Sequence, residues 1–350
     1  MDPVTQFALG AAVAQGIVRK KPKAAFVIGG LAGMLADVDI FLKTSHDILG
    51  HGDLHRHFTH SLAFIPIGAC VGALVIKGAM RVWRRIRPGP ELSFRWVYGI
   101  SFLGYATHGL LDACTSYGTL LYWPFSEERI AWNAISIVDP VYTLPLLVGG
   151  AWTALRRRPM PVVVGLAVAH LYLAFGFFQS HRALDMQASL AASRSHTIAK
   201  GRVDPTFSNL TVWRSLYQTS HGFVADGVRL PIFGKAQVLS GSEIAAEDPA
   251  QWLSRFDGDP ERKRALEKLA WFASGYAAEL EPGHWMDLRY SARPERFQPF
   301  WGIRVSDLKW VTPPMARDRR AELRNLWLSV TRGITDQEGQ RYLVPTISAP

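Results

Sequence analysis

Six apolar runs divide the first half of the chain, at approximately Val4–Val18, Ala24–Leu42, His60–Met80, Phe94–Thr115, Ile137–Leu155 and Met160–Gln179. Crossing a hydrocarbon core of ~30 Å takes about 20 helical residues. The last five runs meet that length. The first is short, and fits an interfacial, re-entrant or tilted helix. A soluble helix normally turns one polar face to water, but Met160–Phe178 contains no Asp, Glu, Lys or Arg. A membrane bundle is therefore favoured over a large soluble helical core. Beyond residue 180 the pattern changes. Short stretches at Gly227–Leu239, Trp285–Tyr290 and Phe297–Trp310 read as strands and Pro260–Leu280 as a helix, punctuated by Pro205, Pro231, Pro260, Pro282 and Pro294. The expected fold is mainly α: a polytopic membrane helical bundle of about five to six apolar helices over residues 1–180, then a soluble α+β domain over residues 181–350.

Charge gives the bundle a direction. Residues 1–180 hold sixteen Lys and Arg, and thirteen of them fall in three clusters: Arg19, Lys20, Lys21 and Lys23; Lys77, Arg81, Arg84, Arg85, Arg87 and Arg95; and Arg156–Arg158. If the runs cross in alternation, all three clusters lie on one face, and the positive-inside bias makes that face cytoplasmic. The last run then exits on the opposite side, so the second domain is expected outside the cytoplasm, in the periplasm of a Gram-negative cell. The whole chain carries a formal net charge of +10. Most of that excess is accounted for by orientation charges, so a nucleic-acid partner is not expected. Hydrophobic residues make up 48% of the chain, which excludes a disordered one, and the 2 cysteines sit in apolar runs, which excludes a disulfide scaffold. No P-loop, dinucleotide fingerprint, CxxC pair or nucleophile elbow is present.

The outer face, by this topology, collects His46, His51, His55, His57, His60 and His108 together with Asp37, Asp39, Asp112 and Asp139. Lys and Arg alone set the topology, so this convergence is independent of it. His108 and Asp112 are spaced i, i+4 and share a helix face, as a helical metal clamp requires. Tyr105 and Thr115 extend that stripe and are candidates for holding the ligands in place. His57 and His60 are i, i+3, and share a face once a helix has begun. Asp37 and Asp39, at i, i+2, suit a helix end or turn. Each residue also has a plain alternative: an interfacial carboxylate, a satisfied histidine, or, for Asp139 before Pro140, a helix cap. Arg56 has the choice of an anionic substrate group or a pairing with Asp53. His46 and His51 read as solvated loop residues, and His170, His181, His196, His221 and His284 as structural. Ionisable groups inside membrane runs are costly and mark function. Mixed imidazole and carboxylate ligands suit a divalent metal such as zinc, manganese or iron, as one or two ions.

The segments LADVDI, HRHFTHS, GYATHGLLDACTSYGT and ISIVDPVYTLPLL, in this order over roughly residues 1–155, resemble the membrane-bound metal-dependent hydrolase family, the YdjM-like group of bacterial inner-membrane proteins. The family pattern falls on Asp37 and Asp39; on His55, Arg56, Thr59, His60 and Ser61; and on His108, Asp112, Thr115 and Gly118. His57 stands where the pattern has Gly, and Ile40 where a His is common; His57 is a candidate replacement for that missing ligand. The resemblance implies a metal-dependent hydrolase. The resulting expectation is a metal held by Asp37, Asp39, His55, His57, His60, His108 and Asp112, with Asp139 and Arg56 as catalytic residues. The substrate would be an ester or phosphoester, of a lipid or lipid-linked molecule, cut among membrane lipids in the inner membrane. The alternative is a transporter or metal-binding scaffold, whose polar residues would continue down the spans as a relay; oligomeric state is left open.

Overall fold

The computed structural model describes residues 1–41, 55–89, 91–245, 249–291 and 293–312. They form two compact units, with the boundary in the chain between Phe177 and Phe178. His46, His51 and Asp53 lie outside the described residues.

In the first unit, α1 (Pro3–Ile17) begins with Asp2 accepting from the amides of Val4 and Thr5, while Pro3 supplies a φ already suited to a helix. Helix α2 (Pro22–Gly33) runs on into a 3-10 segment, Leu35–Phe41. Two further 3-10 turns, Phe58–His60 and Leu62–Phe64, lead into α3 (Ile65–Ile86). Then come α4 (Phe94–Ala113), α5 (Pro140–Arg156) and α6 (Met160–Ser193). By length and composition, 3 stretches are long and apolar enough to cross a membrane: Pro22–Phe41, Leu62–Ile86 and Met160–Ser193. Helices α1 and α5 have only 15 and 17 residues, and α4 carries Arg95, His108 and Asp112.

Small residues let these helices approach closely. Gly104 of α4 sits against the Gly29 carbonyl of α2, and Gly10 of α1 against the same carbonyl, with no room for a Cβ at either. Outward faces are apolar: Ile67, Val71, Leu74 and Val75 on α3, and Val141, Leu144, Val148 and Trp152 on α5, are exposed at helical spacing. Such stripes are unfavourable in water and favourable in lipid. The N-terminus of α1 meets the C-terminal end of α4 through Gln6, which bonds the His108 carbonyl. It meets the start of α5 through the Thr5–Thr143 hydroxyl pair. All three basic clusters consequently lie at the far helix ends, where Lys21 also reaches the Trp96 ring at 5.9 Å.

The second unit contains two antiparallel sheets in simple sequential order. One is β1 (Lys200–Pro205), β2 (Val212–Thr219), β3 (Gly222–Arg229) and β4 (Gln237–Ala245); the other is β5 (Ala277–Glu281), β6 (His284–Asp287), β7 (Gly302–Arg304) and β8 (Lys309–Val311). Helices α7 (Pro249–Ser254) and α8 (Pro260–Phe272) stand between them in the chain. Three sequence expectations are corrected here. The strand expected over 227–239 is two strands, broken by Pro231 and by Gly234 at φ 103. The helix expected to reach Leu280 stops at Phe272, because Ser274 and Gly275 take left-handed backbone (φ 51 and 80) and the chain turns into β5. The stretch Phe297–Trp310 is a hairpin of two short strands with Leu308 at φ 52 in its turn.

Candidate metal centre

Four polar side chains from three segments converge at the end of the bundle away from the basic clusters. The 3-10 segment after α2 presents Asp37, the turn Phe58–His60 presents His60, and α4 presents His108 and Asp112 one turn apart. Asp112, His60 and His108 are fully buried, while the Asp37 side chain is 23% exposed and marks the mouth. Gly109 makes the convergence possible. Its Cα lies so close to the His60 carbonyl that any Cβ would collide with it, which lets the turn settle directly on α4.

Hydrogen bonds fix the tautomers. His108 Nδ1 lies 2.5 Å from the Gly33 carbonyl, an obligate acceptor, so Nδ1 carries the proton and Nε2 the lone pair. His60 Nδ1 faces Thr59 Oγ1 at 3.0 Å and Asp39 Oδ2 at 3.2 Å. The Thr59 hydroxyl already donates to Asp39 Oδ2, at 2.6 Å, so His60 too must donate from Nδ1. In these neutral tautomers both Nε2 atoms are electron-pair donors, and they lie 2.9 Å apart. Asp37 Oδ1 adds a third donor atom, 3.4 Å from His60 Nε2 and 3.3 Å from His108 Nε2. Asp112 Oδ2, buried and without a hydrogen-bond donor, adds a fourth at 3.4 and 3.8 Å from the same nitrogens. For bonds of 2.0–2.1 Å, the edge of a tetrahedral zinc shell is about 3.3–3.4 Å. These separations bracket that edge, and the donor set fits a divalent cation.

Asp39 does different work. Its Oδ1 pairs with His55 Nδ1 at 2.8 Å, and its Oδ2 accepts from the Arg56 amide at 3.1 Å as well as from Thr59. It thus ties the 55–60 segment together and orients His60 from behind. Asp39, His55 and His60 also form a second possible three-residue group, but His60 would have to use Nδ1 there and Nε2 in the first. Arg56 takes left-handed backbone (φ 62); its Nε lies 3.0 Å from Asp112 Oδ2, its Nη1 donates to Thr115 Oγ1 at 3.0 Å, and its guanidinium stacks 4.6 Å from the Tyr117 ring. Thr115 in turn donates to the Asp112 carbonyl, and the Tyr105 hydroxyl to that of Thr59. Removal of an outer carboxylate behind a ligating histidine typically costs 10–100-fold in metal affinity. An Asp39→Ala protein is expected to lose about that much by competitive chelator titration, and unchanged affinity would remove Asp39 from this role.

Two expected site residues stand elsewhere. No helix begins at His57: it precedes a 3-10 turn and packs against the Phe58 and Trp123 rings, each 6.0 Å away. Burial and the nearby Arg129 hold it below the usual imidazole range, and it joins neither ligand group. Asp139 caps α5, accepting from the Val141 amide at 3.1 Å through Oδ1 and from the Tyr172 hydroxyl at 2.9 Å through Oδ2. Both of its oxygens are thereby engaged, and it too lies outside the groups. Sequence reasoning missed Gln6, whose Nε2 donates to Asp112 Oδ1 at 2.8 Å, and the Met1 amine, which pairs with the same oxygen. A neutral residue 106 positions away gives no spacing signal.

No curated protein and no solved structure matches the chain. A family model does: residues 1–183 match the YdjM inner membrane protein family, and with more than half of its length covered the chain belongs to that family.

Proposed function

We propose that this inner-membrane protein is a metal-dependent hydrolase acting on an ester, foremost a phosphoester, of a lipid or lipid-linked substrate. The observation that carries the reading is the pair of Nε2 lone pairs of His60 and His108, held 2.9 Å apart by committed Nδ1 protons and joined by two carboxylates. Four electron-pair donors this close to one another form a ready seat for a divalent cation. The proposed ligands are Asp37, His60, His108 and Asp112, holding one ion, with zinc the best fit to the donor set and manganese or iron next. Such a cation supplies Lewis acidity and an acidified water at neutral pH.

The protein's own groups do the rest. His55 donates Nδ1–H to Asp39, leaving Nε2 to accept a proton at the partly exposed mouth. Arg56 is held rigid by Asp112, Thr115 and the Tyr117 ring, and its remaining guanidinium edge suits an anionic oxygen. Asp139 serves in this reading as the cap of α5. In this reading α1, α4 and α5 join the three longer stretches in a bundle of five to six membrane helices. The basic helix ends then face the cytoplasm, and the site and residues 181–350 the opposite side. A site at the bilayer edge, under exposed apolar helix faces, favours a lipid substrate.

The test is elemental analysis of detergent-purified protein, wild type beside His108→Ala. Stoichiometric metal in the wild type, lost from a folded variant, is the expected result. Absence of bound metal after reconstitution with zinc, manganese and iron in turn would defeat the hydrolase reading and put the transporter in its place.

A further inference from the structure

Helix α6 loses its purely apolar character at Gln179, the first strongly polar position after the run Met160–Phe178. Gln179 is buried, and its Nε2 donates to two carbonyls, Leu210 at 2.9 Å and Leu230 at 2.8 Å. Arg182, one turn on, donates to Gln179 Oε1 and to the Pro231 carbonyl. These carbonyls belong to two loops, residues 206–211 between β1 and β2 and residues 230–236 between β3 and β4. In an antiparallel sheet of order β1-β2-β3-β4 both loops emerge at the same end, and the Leu230 amide joins them by donating to the Thr211 carbonyl at 2.7 Å. One end of the sheet is therefore fastened to α6 at the level where its apolar run stops.

That end carries exposed apolar side chains. Phe233 is 90% exposed, Ile232 66% and Phe207 54%, and Phe178 on α6, with the Arg182 guanidinium over its ring, is exposed as well. They are four of the six large apolar side chains exposed among the described residues of this unit, the others being Leu184 and Trp271. The hairpin at the opposite end, Thr219–Gly222, carries only Ser220 and His221 at its tip. Cationic residues flank the apolar tip: Arg182, Arg229 and Lys235, with no Asp or Glu in 206–211 or 229–237. Apolar side chains projecting from a basic loop, at the level where an apolar helix ends, have the composition of an interfacial anchor.

We propose that the loops 206–211 and 230–236 dip into the bilayer surface beside α6, with Phe207, Ile232 and Phe233 below the headgroups and Arg182, Arg229 and Lys235 among anionic phosphates. The second unit is then held to the membrane at two places, its helix and its loop tips, and presents one fixed sheet end to the lipid. This stands apart from the metal centre and from any hydrolytic activity.

The test uses the full chain in vesicles of phosphatidylethanolamine and phosphatidylglycerol. In a Cys70→Ala/Cys114→Ala background, Phe233→Cys and, separately, Ser220→Cys carry an environment-sensitive fluorophore. Phe233 is solvent-exposed in the protein itself, so its substitution leaves the fold intact, which gel filtration checks. The label at 233 is expected to be quenched by lipids bearing a shallow doxyl group and to be about fivefold less accessible to iodide than the label at 220. Equal iodide access at both positions would overturn the proposal. So would shielding from iodide at 233 without doxyl quenching, since that would mean a second copy or another protein covers the tips.

Discussion

A Gly109→Ala protein is expected to fold and to lose binding of the proposed metal. Alanine is the better helix former by ~1 kcal/mol, so α4 itself has no reason to unwind. The added methyl meets a backbone oxygen, that of His60, and a carbonyl fixed in a 3-10 turn cannot swing aside as a flexible side chain would. The turn must lift off α4 and carry His60 Nε2 away from His108 Nε2. Metal sites tolerate misplacement of only ~0.5 Å before binding suffers, so the expected loss of affinity is on the order of 100-fold or more. The measurement is chelator competition on purified protein, alongside far-ultraviolet circular dichroism. Retained helicity with lost metal is the expected pair of results. Wild-type affinity would show that the two histidines do not depend on this close approach.

Asp112→Ala and Asp37→Ala are expected to abolish metal binding alike yet differ sharply in stability. Asp112 is fully buried, and the Arg56 guanidinium beside it is nearly so. Removing the carboxylate strands that cation in a dry site, a change that typically costs ~3–5 kcal/mol. Gln6 loses its acceptor too. Asp37 sits at the mouth, its ion-pair partners among the described residues are the two histidines, and its removal strands no guanidinium. Thermal melting in excess chelator removes any contribution from metal and isolates the difference. Under those conditions Asp112→Ala should melt well below the wild type, and Asp37→Ala close to it. Equal melting of the two variants would mean that the Arg56–Asp112 pair carries no structural load.

The helical half was legible because its run boundaries follow simple chemistry: Pro at the first turns of α1, α2 and α5, charge at the ends, and apolar residues between. The His108–Asp112 pair was legible because four residues make one helical turn. Asp39 was harder to place. It reads as a ligand beside Asp37, and two residues of 3-10 geometry set it about a third of a turn away, in a second possible group with His55 and His60, the partners of its carboxylate lying 16 to 20 positions later. In the second unit, β1 and β2 escaped notice because they bury charge. Arg202 and Asp204 on β1 pair with each other, and Arg214 on β2 is buried with its donors on the carbonyls of Leu288, Pro294 and Arg296. Alternation of apolar and polar residues cannot reveal a strand whose inward positions are ionic.

Arg56 occupies a backbone conformation that suits glycine or asparagine, and a non-glycine residue held there stores about 1–3 kcal/mol. A glycine at this position would relax the main chain while keeping the amide that Asp39 holds and the carbonyl that receives the Leu120 amide. What would vanish is the guanidinium. The Asp112 carboxylate would then be left buried without that cation, a loss of about 3–5 kcal/mol that outweighs the relaxed main chain. A directed-evolution campaign for heat resistance alone would therefore keep Arg56, strain included, because the one awkward backbone angle is the cost of placing a cation where a sealed carboxylate needs it.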